Sequence, residues 1–248
     1  RSMPVNLARI LLAVLLAGLW ELASSLGWID PFFFSRPSLI ALRLAQLLQA
    51  SRTWEHIATT LAETALGFTG GALMGLAAGF TLARTSYLSQ VLDPYLKIAN
   101  ALPRVALAPL FLLWFGIGIA SKIALAITLV FFPVFFNAFR GVRDVPRVLL
   151  DNARLLGASE RHLWREVYLP SALSSIFASL EAALGLALIG AVVGEYMNSA
   201  RGLGYLISQA EHALDATGLF AGMALLAVIV LALAALVARL ERTLLRWR

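Results

Sequence analysis

Four acidic residues stand in or near long apolar stretches of this sequence. Glu63 and Glu181 fall at the depth of candidate membrane spans, and Glu21 and Glu195 fall nearer the ends of theirs. An ionised side chain at the centre of a span costs about 2.5–3.5 kcal/mol on insertion scales, so such residues usually face a cavity or a partner. We consider two interpretations: polar walls of a pathway through the membrane, or hydrogen-bonded packing residues.

The residue types needed for covalent or metal chemistry are missing or scattered. The chain has no cysteine, and we interpret His56, His162 and His212 as separate loop residues without metal-ligand spacing. No Ser-His-Asp set can be assembled within the spans, and the Gly-x4-Gly-Lys-Ser/Thr phosphate loop is absent. The sequence therefore predicts no catalytic residue, no metal site and no nucleotide-hydrolysing site in this chain.

The composition is that of a membrane protein. Of the 248 residues, 60% are hydrophobic and 14% are charged, which would give a soluble domain a largely apolar surface. Several runs of about 20 residues lack lysine and arginine, the length needed to cross a hydrocarbon core of about 30 Å. We predict an all-α, polytopic membrane protein with six transmembrane helices, forming one domain over residues 1–248.

The predicted spans divide into an N-terminal helix, residues 7–27, and a five-helix core, residues 57–240. The first segment loosely imitates a signal peptide, but the tryptophans near its far end favour a retained span, because indole rings settle at membrane boundaries. Arg36–Arg52 is too polar to cross and favours an amphipathic helix at the outer surface. Val105–Phe115 is too short to cross alone, so the third span must begin before Pro103 or be assisted by its neighbours.

Four glycines in the second span predict close helix packing. Gly67, Gly71, Gly75 and Gly79 are each four residues apart, which places them in one stripe along the helix. In lipid such a stripe lets a neighbouring backbone approach closely.

The distribution of positive charge predicts the orientation. With the N-terminus in the cytoplasm, fifteen Lys and Arg residues fall inside and five fall outside, where Lys122 is counted as a loop residue. Because cytoplasmic loops carry the excess of positive charge, both termini and the loop 144–170 are expected in the cytoplasm. The net charge of +6 thus reflects topology and gives no reason to expect nucleic acid.

The longest strongly charged segment, Asp151–Pro170, is expected to lie in water between two spans. Its first half predicts a helix that starts after Pro146 and ends near Gly157. Ser159 can cap a second short helix, Ser159–Val167, which Pro170 is expected to stop.

The spacing within this segment resembles a known motif. Asp151-Asn152-Ala153 is followed after three residues by Gly157, and after nine more by Val167-Tyr168-Leu169-Pro170. This resembles the coupling loop of permease subunits of ATP-binding-cassette importers, whose pattern is Glu-Ala-Ala, three residues, Gly, nine residues, Ile-x-Leu-Pro. The residues that the resemblance assigns to docking on the ATPase are Asp151, Ala153, Arg154, Gly157, Ala158, Arg161, Arg165, Leu169 and Pro170.

The resemblance also implies partners and a location. It implies a homodimer of permease subunits in the bacterial inner membrane, two ATPase subunits that carry ATP and Mg²⁺, and a periplasmic or lipid-anchored substrate-binding protein. This chain would then bind no cofactor itself. Its pathway would be lined by residues among Glu63, Glu181, Gly190 and Glu195.

Further motifs indicate a subgroup. Val193-Gly194-Glu195-Tyr196, Arg201–Ile207 and Leu110–Gly118 resemble permeases for aliphatic sulfonates, taurine, nitrate and bicarbonate, and Leu240–Trp247 resembles the tail of the sulfonate members. We expect a sulfonate or a related small anion, with taurine, nitrate, bicarbonate or a small organic precursor as alternatives. The competing hypotheses from other classes are an ATP-independent carrier, a scaffold and an intramembrane enzyme.

Overall fold

The computed structural model describes the backbone of residues 5–244, and every side chain within it except those of residues 6, 173, 174, 198, 238 and 240–244. This part of the chain is all-α, which confirms the predicted fold class. Its helices are α1 (Val5–Ser25), α2 (Pro31–Phe34), α3 (Pro37–Gln49), α4 (Ser51–Arg84), α5 (Ser86–Ala101), α6 (Ala108–Phe115), α7 (Ile119–Arg143), α8 (Arg147–Leu155), α9 (Glu160–Leu163), α10 (Leu169–Asn198), α11 (Leu203–His212) and α12 (Ala216–Leu244).

Five of these helices, α1, α4, α7, α10 and α12, are each long and apolar enough to cross a membrane. A sixth crossing is available if α5 and the segment Arg104–Phe115 act together, although they are bent by 83°. The bend falls at Leu102-Pro103, because a residue that precedes proline is pushed into extended backbone, and Leu102 has φ −65° and ψ 136°. If this bent pair is the third span, the span begins before Pro103 as a broken helix.

The glycine stripe of α4 lies against α7. A Cβ atom on Gly71 would stand 2.7 Å from the Cβ of Val130, so only glycine permits this approach. The contacts are Gly67 with Ala126, Gly71 with Val130, Gly75 with Val134 and Gly79 with Ala138. Because the residue numbers of both helices rise together along this contact, α4 and α7 run parallel. The chain between them must therefore return across the bundle, and the bent α5–α6 pair makes that return.

Helix α10 packs on α7 in the opposite direction. At one end a Cβ on Gly141 would lie 2.9 Å from the Cα of Ala172, and at the other end a Cβ on Gly190 would lie 2.6 Å from the Cα of Ala126. Ala126 is fully buried and touches both α4 and α10. Helix α7 is therefore the central helix of the bundle.

Helices α1, α3 and α12 form the periphery. The side chain of Glu21 on α1 accepts hydrogen bonds from the backbone nitrogen (3.0 Å) and hydroxyl (2.8 Å) of Ser38 on α3. Trp20 packs edge-on against Phe220 of α12, with the ring centres 5.6 Å apart. The predicted amphipathic helix at residues 36–52 is observed as α3, and Arg43 on it lies 3.7 Å from Asp215.

The two ends of the bundle differ in what they carry. We call the end that holds residues 144–168 the coupling face, and the other end the opposite face. Because α10 and α12 are antiparallel, with Glu181 beside Val237, helix α12 ends toward the coupling face. Trp20, near the end of α1, meets Phe220, near the start of α12, so the end of α1 lies on the opposite face.

Candidate functional site

The coupling segment, residues 144–168, is two short helices joined by a glycine turn. Helix α8 ends at Leu155. Gly157 has φ +86°, a backbone conformation that residues other than glycine rarely adopt. The hydroxyl of Ser159 then accepts a hydrogen bond from the backbone nitrogen of His162 and caps α9. The sequence predicted both the glycine turn and the serine cap.

The junction with α10 differs from the prediction of one helix, Ser159–Val167, stopped by Pro170. Helix α9 ends at Leu163, and a π-helical turn, Trp164–Tyr168, continues directly into α10. Pro170 stands in the first turn of α10 and not at a break, because proline's missing N–H group is tolerated at a helix start. The coupling segment is thus continuous with a long membrane helix.

One side of the coupling segment is anchored to the bundle. Leu163 is fully buried. The Trp164 ring lies 4.9 Å from the Tyr168 ring and 6.4 Å from that of Phe80 on α4, and the guanidinium of Arg84 sits 3.7 Å from its centre. The turn after α9 is therefore held against the ends of α4 and α10.

The other side of the coupling segment exposes apolar residues. Leu155 and Leu156, just before the glycine turn, are 85% and 89% exposed, and Val148 and Leu149 on α8 are also exposed. Exposed leucines on a segment that is otherwise rich in charged residues are typical of a surface that contacts another protein or the membrane.

An ion pair links α8 to α9. Arg154 lies 3.1 Å from Glu160 across the turn and 3.7 Å from Asp151 on its own helix. The hydrogen bond to Glu160 raises the pKa of Arg154 above its already high value, so the guanidinium stays charged. The structure thus brings together Asp151 and Arg154 of the expected docking residues.

The remaining docking residues are spread along the segment and the first two residues of α10. Arg165 is exposed beside Glu166, at 3.6 Å, and Arg161, Leu169 and Pro170 are also exposed. Ala153 and Ala158 are half-buried.

A second cluster lies on the opposite face, around Glu195. One carboxylate oxygen of the fully buried Glu195 accepts a hydrogen bond from the Thr60 hydroxyl (2.6 Å), and the other accepts from the backbone nitrogen of Gly204 (2.8 Å). Thr60 in turn accepts from the backbone nitrogen of Leu203 (2.9 Å). The carboxylate therefore caps the first turn of α11 and ties it to α4 and α10.

A buried ion pair stands beside this cluster. Nζ of Lys122 lies 3.8 Å from the carboxylate of Glu63, and both side chains are buried. Lys122 belongs to the first turn of α7, so its assignment to an outer loop was wrong: burial with an acidic partner offsets the cost of its charge.

The three histidines also lie in helices and not in loops. His56 is in α4 and accepts a hydrogen bond from the backbone nitrogen of Gly202 (3.0 Å), His162 is in α9, and His212 ends α11. Among the residues that the structure describes, no group of three His, Asp or Glu side chains could hold a metal ion.

The four residues that were expected to line the pathway lie in different environments. Glu63 and Glu195 are inside the subunit, and Gly190 is a packing residue between α10 and α7. Glu181 is exposed on α10 and borders a cavity of about 90 Å³ beside Gly185 and α12. Within residues 5–244 it has no hydrogen-bond or ion-pair partner.

Sequence reasoning missed Thr60, Lys122 and the glycines Gly202 and Gly204 at the start of α11 as members of one cluster. A Cβ on Gly202 would collide with the carboxylate of Glu195, and one on Gly204 would lie 2.8 Å from the Glu195 Cβ. The sequence did contain a signal for this cluster, namely the two motifs around Glu195 and around Gly202–Gly204. The sequence alone does not show that the two motifs are in contact, because that contact depends on the fold.

Comparison with known proteins decides the family. Residues 71–247 match the family described as the binding-protein-dependent transport system inner membrane component. The chain belongs to this family. It is a multi-pass inner-membrane permease of an ATP-binding-cassette importer, a class that works with an ATPase and a substrate-binding protein.

Relatives cover nearly the whole permease. It is 38% identical to the riboflavin transport system permease RibX of Chloroflexus aurantiacus over 99% of this chain and 90% of that protein. It is 34% identical to the putative aliphatic sulfonates permease SsuC of Bacillus subtilis over 96% and 87%, and 32% identical to the taurine permease TauC of Escherichia coli over 99% and 91%.

Solved structures share the fold. The MetNI methionine ABC transporter in an inward-facing conformation superposes with a TM-score of 0.66 at 21% identity, covering 76% of the permease and 94% of that chain. The side chains of the tail motif at 240–247 lie outside the described part of the chain.

Proposed function

We propose that this permease imports a small organic anion of the aliphatic sulfonate class, powered by two ATPase subunits that bind its coupling segment. The observation that carries the coupling role is the exposed Leu155-Leu156 tip on a segment that is braced by ion pairs and continuous with α10. ATP and Mg²⁺ would be held by the ATPase, whose closure would push this tip and tilt α10 against α7.

The orientation follows from this role. The coupling face carries Arg84, Arg143 and the arginines of the coupling segment, so the positive-inside rule supports a cytoplasmic coupling face. Both ends of the chain would then be cytoplasmic. The α11 face would meet the substrate-binding protein on the other side of the membrane.

The pathway would form between two copies of the permease. Glu181 and Gly185 lie on an exposed strip of α10 within an apolar span. An acid there is costly in lipid, which supports a second copy, with a polar pathway, next to this strip. Glu63 and Glu195 would act behind it by fixing α4, α10 and α11.

Two substrate classes have support. Sulfonate is favoured by the permeases SsuC and TauC and by the motifs in α10 and α11. A riboflavin-like heteroaromatic compound is the second candidate, because RibX is more similar to this permease, at 38% identity, than SsuC at 34%.

The coupling role is tested by Leu155→Ser with Leu156→Ser. Because these side chains make little contact within the subunit, the variant should insert normally, yet it should lose co-purification with the ATPase and ATP-driven uptake. Leu214→Ser, which replaces a leucine that is 72% exposed on the opposite face, is the control and should keep co-purification with the ATPase. Normal uptake by the double variant would reject the coupling role.

The substrate class is tested with proteoliposomes that hold the permease, its ATPase and its binding protein. Uptake of a labelled alkanesulfonate is compared with uptake of labelled riboflavin. Sulfonate uptake that depends on ATP supports the first candidate, and riboflavin uptake alone replaces it with the second.

A further inference from the structure

Two open grooves adjoin at the base of the coupling segment. The larger, of about 880 Å³, lies among the ends of α4 and α7 and the beginnings of α8 and α9. The smaller, of about 550 Å³, runs along α4 and reaches Phe80 and Thr81, one turn inside the apolar span. Arg84, Arg161 and Trp164 border both grooves, so the two form one continuous surface.

The larger groove is strongly basic. Arg84, Arg143, Arg147 and Arg161 line it together with one acid, Glu160, which is already paired with Arg154 at 3.1 Å. Within the described part of the chain, none of the four lining arginines has a carboxylate within ion-pair distance. Four guanidinium groups around one groove, with one engaged acid, favour an anionic ligand.

Two of these arginines are held in place by contacts that do not neutralise their charge. Arg84 stacks on the Trp164 ring, 3.7 Å from its centre, and Arg143 donates to the hydroxyl of Ser89 at 2.8 Å. Stacking leaves the in-plane N–H groups of a guanidinium free, and these can bind phosphate in pairs. The groove is therefore partly preorganised for a phosphate group.

The smaller groove is mainly apolar. Phe80, Trp164 and Leu169 line it, with Arg84, Arg161 and Arg165 at its rim. Arg84 is the last residue of α4 and Leu169 the first of α10, so the arginines stand where the apolar spans end. This is the depth of lipid headgroups, and the apolar groove leads from there toward the hydrocarbon.

We propose that the two grooves together bind one anionic phospholipid. Its phosphate diester lies on Arg84 and Arg143, and the start of an acyl chain lies along Phe80 and Trp164. A free phosphate would leave the apolar groove empty. An acidic segment of the ATPase could enter the larger groove but would gain nothing from the part that extends into the span. A lipid uses both, and it would connect the coupling segment to the surrounding leaflet.

The test is native mass spectrometry of the intact permease–ATPase complex in neutral detergent, with equal amounts of dioleoyl phosphatidylglycerol and dioleoyl phosphatidylcholine. The wild type should retain phosphatidylglycerol preferentially. Arg84→Gln with Arg143→Gln should lower that preference by about fivefold for each arginine removed. Arg84→Lys with Arg143→Lys should be intermediate, because the charge remains and the paired N–H geometry is lost.

A matched control removes two exposed arginines from the opposite face, Arg52→Gln with Arg201→Gln, and should leave the preference unchanged. If the glutamine pair fails to assemble, Arg84→Gln alone should still show about a fivefold loss. An equal loss in the control pair would mean general attraction to anionic lipid and would overturn the proposal.

Two further results would also overturn it. Displacement of the lipid by millimolar inorganic phosphate would show a site for soluble phosphate. Preferential phosphatidylglycerol binding by the isolated permease that disappears when the ATPase binds would show that the arginines belong to the ATPase interface.

Discussion

At the scale of single residues, Glu195 explains why one glycine precedes α11 and another stands in its first turn. Its carboxylate accepts from Thr60 and from the backbone of Gly204, and Gly202 stands where any side chain would collide with it. Buried carboxylates need such donors, because each unpaired polar group costs free energy. The α10–α11 turn is therefore specified by one acid and the small residues around it.

Replacement of this acid should destabilise the permease. Glu195→Ala leaves the buried Gly204 N–H group and the Thr60 hydroxyl without their acceptor, at about 1–3 kcal/mol for each unsatisfied group. The midpoint of thermal unfolding in detergent should fall by roughly 2–4 °C per kcal/mol. Glu55→Gln, an exposed acid on α4, is the control. Equal midpoints for the two variants would show that the cluster adds no stability.

Lys122 marks the limit of residue-level prediction. It lies four residues after Gly118 and therefore resembled a loop charge in the sequence. Its burial depends on Glu63, which is 59 positions away and comes near only because α4 packs beside α7. Hydropathy and charge counting contain no information about such a pairing, whereas the glycine turn at Gly157 and the cap at Ser159 are local and were predictable.

At the scale of helices, the parallel α4–α7 pair forms the most extensive helix–helix contact in the described part of the chain. Four glycines spaced by four residues were visible in the sequence, but the helix that meets them was not. The structure shows that they meet α7, where Ala126 and Ala138 are as small as side chains allow. This tight packing within the subunit makes the two helices suited to move as one body.

A side chain added to the stripe should separate these helices. A Cβ on Gly71 would lie 2.7 Å from the Val130 Cβ and 2.9 Å from the Ile127 carbonyl oxygen, so Gly71→Ala should cost about 1–3 kcal/mol. Gly18→Ala on α1 has nothing within 4 Å and should be neutral or stabilising by up to about 1 kcal/mol. Thermal unfolding of both variants gives the comparison. Changes of the same sign would argue against close packing at Gly71.

The junction between the coupling segment and α10 could not be predicted from the sequence. Pro170 was expected to end a helix, but a π-helical turn carries the chain past it into α10. The backbone nitrogen of Leu169 bonds to the carbonyl of Trp164, five residues back, so the turn is widened just before the proline. Because the Trp164 ring is held by Arg84, this widening depends on a tertiary contact.

Charge reversal on the exposed side of this segment should weaken its docking. Arg161→Glu with Arg165→Glu changes two solvent-facing charges and leaves the Arg154–Glu160 pair untouched. We expect normal insertion, and loss of substrate-stimulated ATP hydrolysis in the assembled transporter. The same reversal at Arg52 and Arg201 on the opposite face is the control for total charge and should keep co-purification with the ATPase, which the Arg161/Arg165 variant should reduce. Unchanged stimulation in the Arg161/Arg165 variant would remove these residues from the docking surface.

At the scale of the whole molecule, the sequence predicted six crossings, and the structure has five single-helix candidates and one bent pair that can supply the sixth. Parallel α4 and α7 require a return across the bundle, which Pro103 divides into two short helices bent by 83°. Charge counting predicted the direction of the other spans without knowledge of their packing. It could not predict which face of α10 stays uncovered, since that depends on the arrangement of α4, α7 and α12 around it.

We expect the exposed face of α10 to pack against the same face of α10 in a second permease subunit. A homodimer with Glu181 and Gly185 near its axis predicts that Gly185→Cys forms a disulfide between two permease subunits, provided that the two Cα atoms come within about 4.4–6.8 Å. The chain has no cysteine, so the product is unambiguous on a non-reducing gel. Gly18→Cys, on the exposed α1, should stay monomeric under the same oxidation. If α1 crosslinks and α10 does not, the dimer axis lies on the other side of the bundle, and Glu181 must find its polar environment within a single subunit.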